Sequence, residues 1–329
     1  HRMIGSEEVY RATMSYLDWR VYGFFFSFIA VMFRAFYVST TNTKILTANS
    51  VVMVLTNVVL NYILIFGKFG LPVLGIAGAA IASLISEAVS VMFFVIYTWK
   101  KVDYKKYGLF RFTRVDFRML GQILSVSIWV MIQHGIAFGG WFVFFIAMEH
   151  LGERPLAITN VVRSISSFLF MFVNAFASTN SSLVSNLIGA GESDRVLPLS
   201  RRMIGLCYAF VLPIGILIAM FPSTVLRIYT DNPDLIASSI PSLWVMLSSY
   251  LFAVPGFIYF FSVSGTGNTR RALEIDMASI FVYVLYILYV AVWLRADVAV
   301  CWTTEYVYNI MILSSFFYLW KGNWRNKKI

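Results

Sequence analysis

The sequence predicts an all-α membrane protein of about nine transmembrane helices, and three observations carry that reading. Hydrophobic residues make up 59% of the 329-residue chain and charged residues only 13%, against roughly 45–50% and ~25% in soluble domains. The apolar residues gather in charge-poor runs long enough to cross a bilayer, which takes about 20 residues per helix. Two of these runs end in nearly the same phrase, FYVSTTNTK at 36–44 and FSVSGTGNTR at 261–270, as in a membrane-embedded internal repeat.

Read by freedom from charge, the spans in chain order are 18–40, 45–66, 75–98, 119–148, 156–188, 203–221, 235–263, 274–294 and 298–320. The first two are divided by the STTNT turn, and the second and third by a turn containing Pro72. The third stops at the basic stretch that begins with Lys100. The fourth opens after Arg118 and stops before Glu149, and the fifth follows Pro155. The sixth follows Arg201 and Arg202 and stops at Pro222, the seventh follows Pro233, and the eighth follows Arg270 and Arg271. The ninth runs up to Lys321. Pro213 and Pro255 fall inside spans, where the missing N–H and the ring predict kinks.

Lys and Arg of short loops favour the cytoplasmic side. Alternate loops on one side collect Lys44, Lys100, Lys101, Lys105, Lys106, Arg111, Arg114, Arg118, Arg195, Arg201, Arg202, Arg270, Arg271, Lys321, Arg325, Lys327 and Lys328. The other side holds only Arg2, Arg11, Arg20, Lys68, Arg154, Arg227 and Arg295. The C-terminus is therefore expected in the cytoplasm. This bias and anionic headgroups account for the net charge of +10 without a nucleic-acid partner.

Segment 99–118 is the longest polar stretch and reads as a basic cytoplasmic linker. It separates 1–98, with three spans, from 119–329, with six. Residues 5–98 overlay roughly on 230–321, and three spans precede the second copy but none the first. The expectation is a chain that lacks the first three spans of a twelve-span protein.

The stretch NVVLNYILIFGKFGLPVLGIAGAAIAS at 57–83, with its N-x-x-x-N pair and small-residue turn into a helix, and SNLIGAGE at 185–192 resemble the multidrug and toxic compound extrusion (MATE) family. The resemblance runs over essentially the whole chain. It implies a twelve-helix antiporter of two six-helix lobes, of which this chain holds the second half of the N-terminal lobe and all of the C-terminal lobe. It further implies export of drugs or other organic, often cationic, compounds in exchange for H+ or Na+, by alternating access. A monomer in the bacterial inner membrane is expected, with the bilayer and a small-molecule substrate as partners and no cofactor beyond the coupling ion.

Polar side chains inside spans face partners, cavities or pathways. Asn57 and Asn61 share a helix face. Where family members carry a cation site in the first lobe, Asn61 stands at a position commonly occupied by Asp, and Ser83 at one often occupied by Ser or Thr. Asn57, Asn61 and Ser83 thus form either a polar site without the carboxylate or interhelical glue. Glu87, about twelve residues into its span, lies near mid-membrane. It is a candidate for proton coupling when unpaired, or a structural ion pair when joined to Arg34 or Arg163.

Gln133 and His134, near the middle of the fourth span beside Trp129, Phe138, Trp141 and Phe142, are candidates for contact with an organic cation, with Arg163 as a further cleft candidate. Their alternative is packing. The fourth and seventh spans are free of Asp and Glu, so ion coupling through them is not expected. Glu274 and Asp276, beside Arg270 and Arg271, are expected in loop salt bridges and caps, and Glu305 is left open.

An enzyme is not supported. The histidines are scattered, Cys207 and Cys301 fall in different spans, and no H-E-x-x-H, G-x-S-x-G or P-loop pattern occurs. The G-T-G-N-T at 265–269 reads as a helix-connecting turn. Two alternatives to drug export are a lipid-linked oligosaccharide flippase of the same superfamily, which needs several cations for pyrophosphate, and an intramembrane acyltransferase, which needs a partner for His134.

Overall fold

The computed structural model describes residues 7–40, 42–70, 72–103, 106–108, 116–322 and 324. Much of the predicted linker, at 104–105 and 109–115, and the basic tail at 325–329 lie outside these residues. The chain divides into two compact units, His1–Arg114 and Val115–Ile329, and among the described residues of each the helices are joined only by turns and short irregular segments.

The first unit holds α1 (Glu7–Ser39), α2 (Lys44–Phe66) and α3 (Gly75–Lys101). Helix α2 ends at Gly67, whose left-handed backbone, φ 63°, lets its N–H close onto the Ile63 carbonyl, a conformation that glycine adopts without a Cβ penalty. Helix α3 presents Gly78, Ala82, Ser86, Ser90, Phe94 and Thr98, one residue every helical repeat, and all are buried. The stripe starts small because α2 comes close. A Cβ on Gly78 would lie 2.7 Å from the Leu64 carbonyl oxygen, the kind of approach that small residues allow between membrane helices. Farther along, Tyr37 of α1 stacks on Phe94 and shares a 2.6 Å hydrogen bond with Thr98. Outward, α1 shows Tyr22, Phe25, Phe28 and Met32, an apolar surface suited to lipid.

The second unit holds α4 (Phe117–Leu151), α5 (Glu153–Gly189), α6 (Val196–Met220), the short α7 (Pro222–Leu226), α8 (Pro233–Gly265) and α9 (Thr269–Ile287). Then come a π-helical turn (Leu288–Trp293), α10 (Val298–Trp302), α11 (Thr304–Ile312) and α12 (Ser315–Lys321). Side-chain caps start several helices. Asp116 accepts from the Arg118 and Met119 amides, and Asn232 accepts from Asp234 and Leu235 with Pro233 at the first helical position, where its missing N–H costs nothing.

Helices α5 and α8 pack along most of their length around Val162, Leu169, Val173, Leu243, Val254 and Ile258. A Cβ on Gly265 would meet the Ser181 carbonyl oxygen at 2.5 Å, and Ser185 donates to the Gly265 carbonyl at 2.8 Å. Asn180 bonds Ser262 at 2.6 Å, and Ser200 of α6 joins them at 3.0 Å.

Eight helices among the described residues are long and apolar enough to cross a membrane. The predicted ninth span, 298–320, is three short helices. The reason is local: Thr303 and Thr304 turn their hydroxyls back onto the carbonyls of Val300 and Cys301, competing with the helical ladder. Tightened turns interrupt it again at Leu313–Ser314. Pro213 lies inside α6 and Pro255 inside α8, and Pro241 is a further proline inside α8.

Both repeat phrases fall on helix–turn–helix junctions, between α1 and α2 and between α8 and α9. Within the first unit, α3 packs against α1 and α2, which barely touch each other. Within the second, α11 packs against α8 and α9.

Candidate functional site

In the first unit, Asn57, Asn61 and Ser83 come together. Asn61 Nδ2 donates to Asn57 Oδ1 at 2.9 Å, and Asn57 Nδ2 reaches Ser83 Oγ and Ser86 Oγ, each at 3.4 Å. Two turns away, the fully buried Asn49 donates to Ser90 at 2.8 Å. The α2–α3 seam is therefore a neutral polar ladder. Asn49, Ser86 and Ser90 were legible only as part of the small and polar stripe of α3 and its facing positions.

Glu87 points the other way, to α1. Its Oε1 lies 2.7 Å from Arg20 Nη2, so its partner is neither Arg34 nor Arg163. The sequence reading placed Arg20 on a loop side. Helix α1 in fact starts about three turns earlier, so Arg20 lies well inside it. Gly23 makes room for the pair, since a Cβ there would lie 2.7 Å from Glu87 Oε2 and 2.9 Å from Arg20 Nη1.

In the second unit a cavity of about 480 Å³ opens among α4, α5, α8, α9 and α11. Gln133, His134 and Arg163 all line it. Aromatic walls come from Phe138, Trp141, Phe170, Tyr250 and Phe257. The Arg163 guanidinium sits 4.7 Å over the Phe145 ring.

The carboxylates of this cavity come from helices other than the fourth and seventh spans. Asp276 of α9 does not serve the loop. It is 2% exposed and accepts from the Tyr308 hydroxyl at 2.9 Å, with Gln133 and His134 lining the same cavity. Glu274 does keep the surface role expected of it, paired with Arg270 and Arg271. Glu305 of α11 also lines the cavity. Asp276, Ile280 and Tyr283 share a face of α9, as Glu305, Tyr308 and Asn309 do of α11. Asp276 of α9 meets Tyr308 of α11, and the Tyr283 ring of α9 packs against the Tyr308 ring.

The family model described as MatE matches residues 1–63 and 136–292. The chain belongs to the MatE family. A MatE relative from Thermotoga maritima, named a probable multidrug resistance protein NorM, is 28% identical over 239 residues, 72% of this chain and 50% of that protein. The probable multidrug resistance protein YoeA of Bacillus subtilis is 25% identical over 253 residues, 76% of this chain and 55% of that protein. The chain thus spans about half the length of the curated relatives it matches. The fold is that of solved MATE structures: one in complex with MaL6 has a TM-score of 0.86 at 16% identity, covering 98% of this chain and 72% of that one. The Vibrio cholerae transporter VcmN in its bent form has a TM-score of 0.77 at 17% identity, covering 96% and 70%.

For this MatE chain, sequence reasoning found the cavity's α4 and α5 side chains and missed its α9 carboxylate. The available signal was spacing: Asp276 and Tyr283 stand seven residues apart on one face, whereas Glu274 faces the arginines.

Proposed function

We propose that the protein containing this chain is a secondary active antiporter that exports drugs or other organic, often cationic, compounds in exchange for H+ or Na+ by alternating access. It is a transporter, not an enzyme. The observation that carries this reading is the cavity in the second unit. Its size falls within the roughly 300–1,000 Å³ of small-molecule sites, aromatic faces and two carboxylates suit an organic cation, and relatives bear the name multidrug resistance protein. Arg163 is the one Arg or Lys among its lining residues, too little positive charge for the pyrophosphate of a lipid-linked oligosaccharide.

In this reading the first unit is the second half of the N-terminal lobe, residues 99–118 are a cytoplasmic linker, and the second unit is the C-terminal lobe of a monomer in the bacterial inner membrane, with its C-terminus cytoplasmic. Gln133, His134 and Arg163 contact substrate. Asn57, Asn61 and Ser83 offer a neutral polar site, and the Glu87 pairing with Arg20 favours a structural role for that carboxylate.

The test is ethidium or norfloxacin efflux from an efflux-deficient bacterium expressing the full-length parent gene, with the Na+ and pH gradients collapsed in turn. Export that stops with one gradient is expected. No export under any condition overturns the reading.

A further inference from the structure

We propose that the second unit holds an anionic phospholipid at the end where α9 begins and α12 ends, its headgroup phosphate received by Arg271 and Lys321. A second cavity, of about 510 Å³, opens there among α9, α11 and α12 and shares no lining residue with the one that Gln133 and Asp276 line. Asn268, Arg271, Glu274, Tyr318 and Lys321 supply its polar wall. Asn268 Nδ2 donates to the Tyr318 hydroxyl at 2.6 Å, which fastens the start of α9 to α12. Arg271 follows Asn268 by three residues, and Lys321 follows Tyr318 by three, so each cation stands one turn along from the joined pair.

Charge and donors select an anion. Arg270 and Arg271 share the single carboxylate of Glu274, and Lys321 makes no ion pair among the described residues, so the group keeps a net positive charge. The Arg271 and Glu274 side chains are 59% and 41% exposed. An ion pair so wet contributes little, and a phosphate that takes two parallel N–H bonds from a guanidinium displaces Glu274 from Arg271 at small cost. The Tyr318 hydroxyl, having accepted from Asn268, still has its own proton to donate. Arg270 is held elsewhere, 5.7 Å over the Trp129 ring.

The surface that continues from the cavity selects a lipid over a soluble phosphate. Helix α9 opens a membrane-length apolar segment, Thr269–Trp293, so cations in its first turn stand at headgroup depth. Phe281 and Leu285 follow Glu274 and Ala278 at helical spacing on one face of α9, and both are exposed. Ile310, one turn before the cavity-lining Ser314, is exposed as well, as is Phe317 of the cavity wall. A cationic mouth that runs into exposed apolar side chains matches a phosphate carried on acyl chains, and basic pockets between membrane helices take anionic headgroups in this way.

The site is independent of what the protein exports and of the ion that drives it. The experiment is binding of radioactive phosphatidylglycerol to the purified full-length parent protein in detergent, with bound lipid recovered by gel filtration. Expected is saturable binding that unlabelled phosphatidylglycerol displaces, and that neither phosphatidylcholine of the same acyl chains nor inorganic phosphate displaces. It should weaken at least about tenfold in the Arg271→Gln, Lys321→Gln double variant. It should hold in Arg227→Gln, which removes an exposed cation at the opposite end of α8 from Asn268. Glu274→Gln, which releases Arg271, should tighten it several-fold. The replaced side chains are all exposed, and unchanged elution volumes check that the variants fold. Displacement by inorganic phosphate would mean an open anion site, and displacement by phosphatidylcholine an unselective apolar groove. Either of these overturns the proposal, as does equal weakening in Arg227→Gln, undiminished binding by the double variant, or absence of saturable binding.

Discussion

The Tyr308 hydroxyl donates to Asp276 Oδ1 across 2.9 Å, and this bond ties α11 to α9 at the cavity wall. The Tyr283 and Tyr308 rings meet edge to face beside it, 5.9 Å between centroids. Tyr308→Phe keeps the ring contact and removes the donor. A hydrogen bond to a charged group contributes roughly 1.5–3 kcal/mol, so a fall in thermal stability of the detergent-purified protein is expected. Tyr286→Phe, which loses only a neutral bond to Thr303, should cost less. A Tyr308→Phe protein as stable as the parent would mean that Asp276 does not depend on this donor.

Helix approach at glycine gives a paired test. The Gly265 backbone lies so close to Ser181 that a methyl group has no room, and forcing extra volume into a packed seam costs typically 1–3 kcal/mol. Gly205, inside α6, has nothing within 4 Å of its would-be Cβ, where alanine gains up to about 1 kcal/mol in helix propensity. Gly265→Ala should lower the melting temperature and Gly205→Ala should hold or raise it. The reverse order would contradict the α5–α8 packing.

Arg20 and Glu87 should behave as a unit. Each side chain is largely buried, 26% and 14% exposed, so removing either partner leaves a charge without its counterion, whereas removing both by neutral residues of similar length leaves none. Arg20→Met and Glu87→Gln should each destabilise the protein, and the double variant should recover much of the loss. Purely additive losses in a thermal-stability cycle would show that the two charges do not interact.

Much of the fold was legible because hydrocarbon imposes a simple rule: charge-poor runs of about 20 residues become helices. The ends were less legible. Arg20, at the edge of the 18–40 span, was counted with the loop cations because a charge there marks the end of an apolar run, yet α1 begins at Glu7 and Glu87 supplies the countercharge. The last span looked continuous in hydropathy, which is blind to Thr303 and Thr304 bonding backward onto their own helix. Asp276 was hidden by its neighbours: Arg270, Arg271 and Glu274 made the whole turn look like surface, and only the three-dimensional register of α9 against α11 turns that one side chain inward. Gln133 and His134 were found because polar side chains at mid-span are rare enough to stand out.

The α2–α3 ladder yields the last prediction, because Asn57 and Asn61 look alike in sequence and differ in geometry. Asn57 is the junction: it accepts from Asn61 and donates toward both Ser83 and Ser86. Asn61 is the end of the ladder, and its own Oδ1 has no partner. Asn57→Ala therefore strands groups on both helices, while Asn61→Ala removes one donor from Asn57 and an already unmet acceptor with it. Interhelical hydrogen bonds in membranes contribute about 0.6 kcal/mol on average and up to ~1.7. Asn57→Ala should thus be the more destabilising, by about 1 kcal/mol, and Asn61→Ala close to neutral. Thermal unfolding of both variants beside the parent protein checks this, and equal losses would mean that the asparagines act independently rather than as one ladder.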